Sequence, residues 1–318
     1  MENQSEAVLL IGFGGPTEES EVVPFMECLY QGETLPSPRY DQIVANYRAV
    51  GGRLPCDSIT SSQVQALHVH LFQAGNPLPV FAGMIHWKPL LGDVLEEMQQ
   101  QGIRQAIGVV LMPYRRPGDF ELYSESLEAV KLEHGIKLNI DYLPPWHTHR
   151  LFIEAVVERI RETFVQEEFR NSERTGILFT APSIPLAVSQ QCSYISDFRE
   201  SVRRVMQSLP YYRVWIGFQS RSGDTGGPWL EPDVQDLVRR LPKERAKNII
   251  VVPIGFIGDP IEVLFDLDVK TKAIAAECGL GYARTATVMN HPRFTAMLGH
   301  LIQERLRAGS AQKEGKVS

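Results

Sequence analysis

RTGILFTAPSIP, residues Arg174–Pro185, decides the fold. Its apolar run Ile177-Leu178-Phe179 stops abruptly in small residues and two prolines. That is the pattern of a buried parallel strand whose carboxyl end opens into a rigid loop. In open α/β sheets, ligands sit at that end of a strand. NIIVVPIGFIGDPIE, Asn248–Glu262, repeats the plan: an apolar strand runs into a Gly/Asp/Pro loop and then an acid. With both loops on one cleft, Glu262 is its most reactive resident.

Toward the amino terminus, apolar runs at Ala7–Phe13, Pro79–Met84, Arg104–Met112 and Leu138–Tyr142 read as strands. Helices are predicted over Glu18–Tyr30, Tyr40–Val50, Ser61–Gln73, Leu90–Gln101, Gly118–His134 and Leu151–Val165. Thr17 is the expected N-cap of the first, and Leu35–Pro38 reads as a proline-rich loop. Then the pattern restarts. Strands are expected at Ile177–Thr180, Arg213–Gln219, Asn248–Ile254 and Ala283–Val288, with helices over Asp197–Ser208, Pro232–Leu241, Ile261–Cys278 and Pro292–Arg307. The polar tail Ala308–Ser318 is expected to be disordered. Alternating strands and helices joined by short connections predict an α/β fold with parallel sheets covered on both faces. VLLIGFGGP parallels GILFTAPSIP in plan, and VVLMPYRRPGD parallels IIVVPIGFIGDP. Two similar halves, residues 1–165 and 166–290, are therefore expected around a cleft, followed by a helix and tail over 291–318. Ligand sites favour such interfaces.

A chain of 318 residues, 43% hydrophobic and 22% charged, is long enough for a large core. Its 32 basic and 38 acidic residues leave a formal charge of −6 and form no basic stripe, which argues against a nucleic-acid partner. Cys28, Cys56, Cys192 and Cys278 are scattered and make no CxxC pair. Clustered ligands for a structural zinc or an iron–sulfur cluster are thus missing, and reduced thiols in a cytosolic protein are expected. The opening MENQSEAVLLIGFGG lacks a basic n-region, and its apolar run is too short for a signal peptide or a membrane span. A soluble, cytoplasmic protein is the expectation.

Several short motifs carry candidate chemistry. GFGGP, Gly12–Pro16, is not GxGxxG, and Pro16 removes an N–H that a phosphate would want, so a close-packed turn is the reading. QSRSG, Gln219–Gly223, is a polar loop after a strand; Arg221 could meet a substrate carboxylate, or the loop could hold itself together. His147 and His149 flank a turn, where solvated imidazoles are expected rather than a metal pair. His86 stands beside Trp87 at a strand's carboxyl end, a better place for a functional imidazole than His147 or His149, although a satisfied surface histidine is the leading reading. Glu262 and Asp266 lie four apart on a predicted helix and share a face. Hard divalent cations take oxygen ligands so arranged, although an acidic first turn also suits the helix dipole.

Together these stretches resemble the ferrochelatase family, which inserts ferrous iron into a porphyrin. GFGGPTEESEVVPFMECLYQG resembles its opening strand and first helix, and YRAVGGRLPCDSITSSQVQAL its Gly-Gly-x-Ser-Pro loop. FAGMIHWKPLLGDVLEEM is similar to its Gly-Met-Arg-x-Trp segment, and FTAPSIP to its Phe-Ser/Thr-Ala-His-Ser/Gly-Ile/Leu-Pro strand end. FQSRSGDTGGPWLEPDV and VVPIGFIGDPIEVLFDLD are the longest matches, and the wording is most like the bacterial coproporphyrin III branch. The resemblance implies two Rossmann-like halves around a porphyrin cleft and a place in haem biosynthesis. It implies ferrous iron and a porphyrin, coproporphyrin III, as substrates, with no iron–sulfur cluster. It further implies Glu262 as the metal and proton residue with Asp266 behind it. Phe13, Leu54, Trp87 and Tyr123 are implied around the porphyrin, and Arg115 or Arg221 against its propionates.

The departures from the family pattern fall on chemical residues. The family's metal-handling histidine falls on Pro182, and a second histidine on Pro260 of the Asp259-Pro260-Ile261-Glu262 stretch. The loop serine falls on Leu54, the arginine of Gly-Met-Arg on Ile85, and a frequent histidine on Tyr114. Proline has no titratable group, and stripping pyrrole protons suits a base near neutrality. Two functions follow: iron insertion relying on Glu262, or a pseudoenzyme that binds porphyrin or haem for delivery, sensing or storage.

Overall fold

Two four-stranded parallel sheets with the same strand order carry the chain. The computed structural model describes residues 6–30, 37–115, 119–166, 174–209, 211–221 and 227–314. The first half runs β1 (Glu6–Gly12), α1 (Val22–Leu29), α2 (Ser37–Ala49), α3 (Cys56–Gln73), β2 (Val80–Met84), α4 (Leu91–Gln100), β3 (Gln105–Val110), α5 (Asp119–Glu133), β4 (Asn139–Tyr142) and α6 (Arg150–Gln166). The second runs β5 (Thr175–Pro182), α7 (Leu186–Ser189), α8 (Tyr194–Gln207), β6 (Arg213–Gln219), α9 (Val234–Arg240) and β7 (Asn248–Val252). It continues through α10 (Ile261–Val263), a π-helical segment (Leu264–Thr271), α11 (Lys272–Glu277), β8 (Gly281–Arg284) and α12 (Pro292–Glu314). Sheet orders β2-β1-β3-β4 and β6-β5-β7-β8 superimpose element for element, so the restart read in the sequence is a structural repeat.

Both faces of the central strands are buried, which is why β1 and β5 read as unbroken apolar runs rather than alternating ones. Val8 and Leu10 of β1 face one core and Ala7, Leu9 and Ile11 another. In β5, Ile177, Phe179 and Ala181 join the first of these cores, while Leu178 packs with Val263 and Leu267 beneath the π segment. The core shared by β1 and β5 also takes the inner faces of α6 and α12, so the two halves have a common interior. Among the described residues, no helix is long and apolar enough to cross a membrane.

Four local expectations are corrected. Thr17 does not cap the first helix: its N–H and hydroxyl donate to the Glu21 carboxylate at 2.8 and 2.9 Å. The proline-rich loop is shorter than expected, because α2 already begins at Ser37 with Pro38 in its first turn, where a missing N–H costs nothing; residues 35–36 lie outside the described residues. The tail is helical to Glu314, an extension that its Ala, Gln, Lys and Glu residues favour, with 315–318 outside the description. The helix predicted over Ile261–Cys278 exists but widens into the π segment. There the Thr271 hydroxyl donates to the Asp266 carbonyl at 2.6 Å and the Tyr282 hydroxyl to the Leu267 carbonyl at 2.8 Å, supporting carbonyls of the widened turn.

Candidate active site

The ends of β5, β6 and β7 converge. Register places Pro182 opposite Gln219, and the Ser183 N–H donates to the Gln219 carbonyl at 2.6 Å. The loop after β7 folds back onto β5 at Gly255, where a Cβ would stand 2.5 Å from the Ala181 Cα, so only glycine permits that approach. This brings the start of α10 beside the end of β6. The Gln219 amide donates to the Glu262 main-chain carbonyl at 2.8 Å. The next residue, Ser220, adopts a left-handed φ of 62° and donates its hydroxyl to Asp266 Oδ2 at 2.5 Å. A non-glycine residue in that region is uncommon and marks a functionally constrained position. The last residue of β6 and the one after it thus hold Glu262 by its backbone and Asp266 by its side chain.

Asp266 is mostly buried, and burial pushes its carboxyl above the usual range, opposed by the Ser220 hydrogen bond and by Lys270. Lys270 Nζ lies 3.5 Å from Asp266 Oδ1. Beside this row, Arg284 forms a two-point bridge to Asp268 at 2.7 and 2.8 Å and reaches Asp259 at 3.1 Å. Burial raises the Asp259 carboxyl too, with Arg284 as the main opposing influence. The bridge ties the β7 loop, the π segment and the end of β8 together around Glu262. Sequence reasoning singled out Arg221 in the QSRSG loop and passed over Gln219 and Ser220. The available signal was a polar pair directly after an apolar strand, at its ligand-facing end.

The first half supplies an aromatic edge. Gly14, at φ 85°, packs within van der Waals reach of Met84 and Trp87, so GFGGP is the close-packed turn expected. That turn brings Phe13, 44% exposed, against His86 with ring centroids 4.4 Å apart. Burial lowers the His86 imidazole below its ordinary value, keeping it neutral and able to accept a proton or a metal. Trp87 donates to Glu21 at 3.3 Å and meets Phe25 edge-on. Trp87, Leu54, Ile261 and Leu264 share one apolar cluster, which clamps α1 and α2 of the first half onto the helix that carries Glu262.

The other residues expected at the ligand are engaged within the chain. Leu54 and Tyr123, 7% and 4% exposed, are core side chains: Leu54 in that cluster, Tyr123 under α5 with Leu9, Ile11 and Leu91. An apolar or aromatic side chain at these positions gains more from the interior than a solvent-filled cleft offers. Arg115 donates to the Leu143 carbonyl at 3.1 Å, at the ends of β3 and β4. Arg221 stands 3.9 Å from both Glu231 and Asp233, the latter being the cap of α9; the rest of its loop, 222–226, lies outside the described residues. His147 and His149 are not solvated imidazoles. His147 sits 3.6 Å from Asp197 and against Tyr114, and His149 accepts the Leu151 N–H at 3.2 Å at the start of α6. Among the described residues, no three His, Cys, Asp or Glu side chains converge in a metal-binding group.

Burial lowers the imidazoles of His70, His86, His147, His149 and His291. The unfolded chain then binds more protons than the folded one once the pH falls below about 6.5. Stability is therefore expected to fall with acidification in that window, read as a drop in Tm between about pH 7.5 and about pH 5.5. A flat Tm across it would mean these imidazoles titrate alike in both states.

Residues 5–306 match the family model described as Ferrochelatase. The chain is 32% identical over 307 residues to the coproporphyrin III ferrochelatase of Mycolicibacterium smegmatis, covering 95% of this chain and 90% of that protein. It is 31% identical over 304 residues to the ferrochelatase of Rhodopirellula baltica, covering 95% and 86%. Among solved structures, SirB from Bacillus subtilis with Fe3+ superimposes with a TM-score of 0.61 over 97% of this chain and 98% of that one, at 12% identity. SirB from Bacillus subtilis subspecies spizizenii, described as a sirohydrochlorin chelatase in complex with cobalt, gives 0.56 at 11% identity over 97% and 98%. These two likenesses establish the fold.

Proposed function

Because the chain belongs to the ferrochelatase family, whose members are lyases that insert iron into porphyrins, we propose that it inserts ferrous iron into coproporphyrin III in haem biosynthesis, with Glu262 taking the metal and pyrrole protons. The observation that carries this reading is a pair of hydrogen bonds that place the Glu262 backbone and the Asp266 carboxylate at the carboxyl end of β6. Gln219 fixes Glu262 through its carbonyl and Ser220 fixes Asp266, both from the end of β6. The Asp266 carboxylate, held by Ser220, needs little reorganisation when charge develops on a substrate, and Glu262 stands on a backbone fixed four residues before it. The exposed Phe13 and the adjoining neutral His86 offer an apolar face and an imidazole at the edge of the other sheet. A planar macrocycle suits such an aromatic edge. Iron is the substrate here, so its residence is transient and a weak, partly satisfied oxygen site is appropriate.

A second reading has its own support. Pro182 ends β5 with its carbonyl accepting the Tyr194 hydroxyl at 2.8 Å, and Pro260 precedes α10 in the N-cap position. Neither can accept a pyrrole proton, which favours a protein that holds porphyrin or haem without inserting metal.

Anaerobic titration of the protein with coproporphyrin III, followed by ferrous iron, separates the two. A Soret shift on binding and metalation above the uncatalysed rate supports insertion. A Soret shift with no acceleration supports the binding role. The absence of a shift removes both.

A further inference from the structure

We propose that Lys270 is a tethered counter-ion that competes with the incoming divalent cation for Asp266 and so sets the metal affinity of the site. The inference rests on reading Glu262 and Asp266 as the metal-handling row, and it adds a specificity-determining residue to that row.

Both oxygens of Asp266 are engaged within the chain. Oδ2 accepts from Ser220 at 2.5 Å, and Oδ1 lies 3.5 Å from the Lys270 ammonium. The two partners differ in kind. Ser220 directly follows β6 and orients the carboxylate. Lys270 is 42% exposed and stands on the π segment itself, four residues beyond Asp266. Its side chain is not a wandering surface lysine: Nζ also sits 4.6 Å from the centroid of the Phe265 ring, so a carboxylate and an aromatic face hold the ammonium in one place. Asp266, 16% exposed, meets solvent next to that ammonium. A divalent ion that coordinates Oδ1 must push Nζ away or accept a like charge a few ångströms off. The exposed end of lysine makes the first route feasible. The pair therefore acts as a replaceable lid of charge: strong enough to discourage idle cations, weak enough to yield.

The test is calorimetric titration of the full chain with Co2+ in the absence of porphyrin. Lys270→Gln is expected to bind Co2+ about tenfold more tightly than the wild type, as removal of one nearby like charge at a half-exposed site predicts. Lys270→Arg is expected to match the wild type. In an Asp266→Asn background, the Lys270→Gln gain is expected to vanish. Equal Co2+ affinity in wild type and Lys270→Gln, including no binding by either, overturns the proposal. So does a gain that persists without the Asp266 carboxylate. Lys270 is half-exposed, so each variant's fold is checked by its unchanged Tm. Because no porphyrin is present, failure here leaves the insertion reading untouched, and failure of the Soret experiment leaves the Co2+ result interpretable.

Discussion

Glu262→Gln is expected to slow iron insertion by at least about 100-fold while leaving the porphyrin-induced Soret shift in place, the range associated with loss of a positioned acid–base group. The amide keeps the shape of the carboxylate. It also leaves untouched the hydrogen bond from Gln219, which goes to the Glu262 main-chain carbonyl. What disappears is the negative charge and the ability to take a proton. With proline at 182 and 260, the neighbouring strand end and loop offer no titratable side chain at those positions to share the work. The measurement is initial-rate metalation under anaerobic conditions, paired with a binding titration on the same variant. A rate within about threefold of wild type would mean that another group, His86 being the next to test, carries the protons.

The second large effect concerns stability. Arg284→Met is expected to cost about 3 kcal/mol, because it removes a buried cation from Asp259, which is mostly withdrawn from water, and from the partly exposed Asp268. Asp268 loses a two-point bridge and Asp259 loses its main opposing charge. In a chain of this size, such a loss lowers Tm by roughly 4–5 °C. The sign with pH is also fixed. The Asp259 carboxyl already titrates above its unfolded value, and removing Arg284 raises it further. Protonation therefore relieves the variant, and the gap to wild type is expected to narrow as the pH falls through the carboxylate range. A gap that stays constant with pH would show that lost packing, not uncompensated charge, accounts for the destabilisation.

Much of this was legible in the residue order. Apolar runs that end in Gly, Pro or small residues placed seven of the eight described strands, since fully buried parallel strands have few other ways to be written. The last, expected at Ala283–Val288, lies at Gly281–Arg284, where GYAR is too short and mixed to show such a run. Spacing put Glu262 and Asp266 on one helix face but left a cation site and an acidic first turn equally open; the resemblance singled them out. What could not be read is contact between distant segments. Arg284 lies 25 residues from Asp259 along the chain, and Ser220 lies 46 from Asp266; no local pattern joins them. The π segment is equally silent, because FDLDVKT has the same apolar period whether its turn is normal or widened. Leu54 and Tyr123, which the resemblance implied around the porphyrin, are buried side chains packed in apolar clusters, and no local pattern announces that burial.

The closing helix, α12, has a consequence for how the protein is made. Phe294, Met297, Leu298 and Ile302 are fully buried in the core that also contains Val8 and Leu10 of the first strand and Leu67 and Leu71 of α3. Arg305 adds a two-point bridge to Asp141 on β4. On the ribosome, the amino-terminal sheet emerges long before the segment that covers it, and at ordinary synthesis rates the wait is on the order of ten seconds. During that interval the nascent chain shows part of the apolar surface that α12 later covers. Its two halves therefore mature together rather than one after the other, and a chain stalled before residue 292 leaves the ribosome as a client for chaperones.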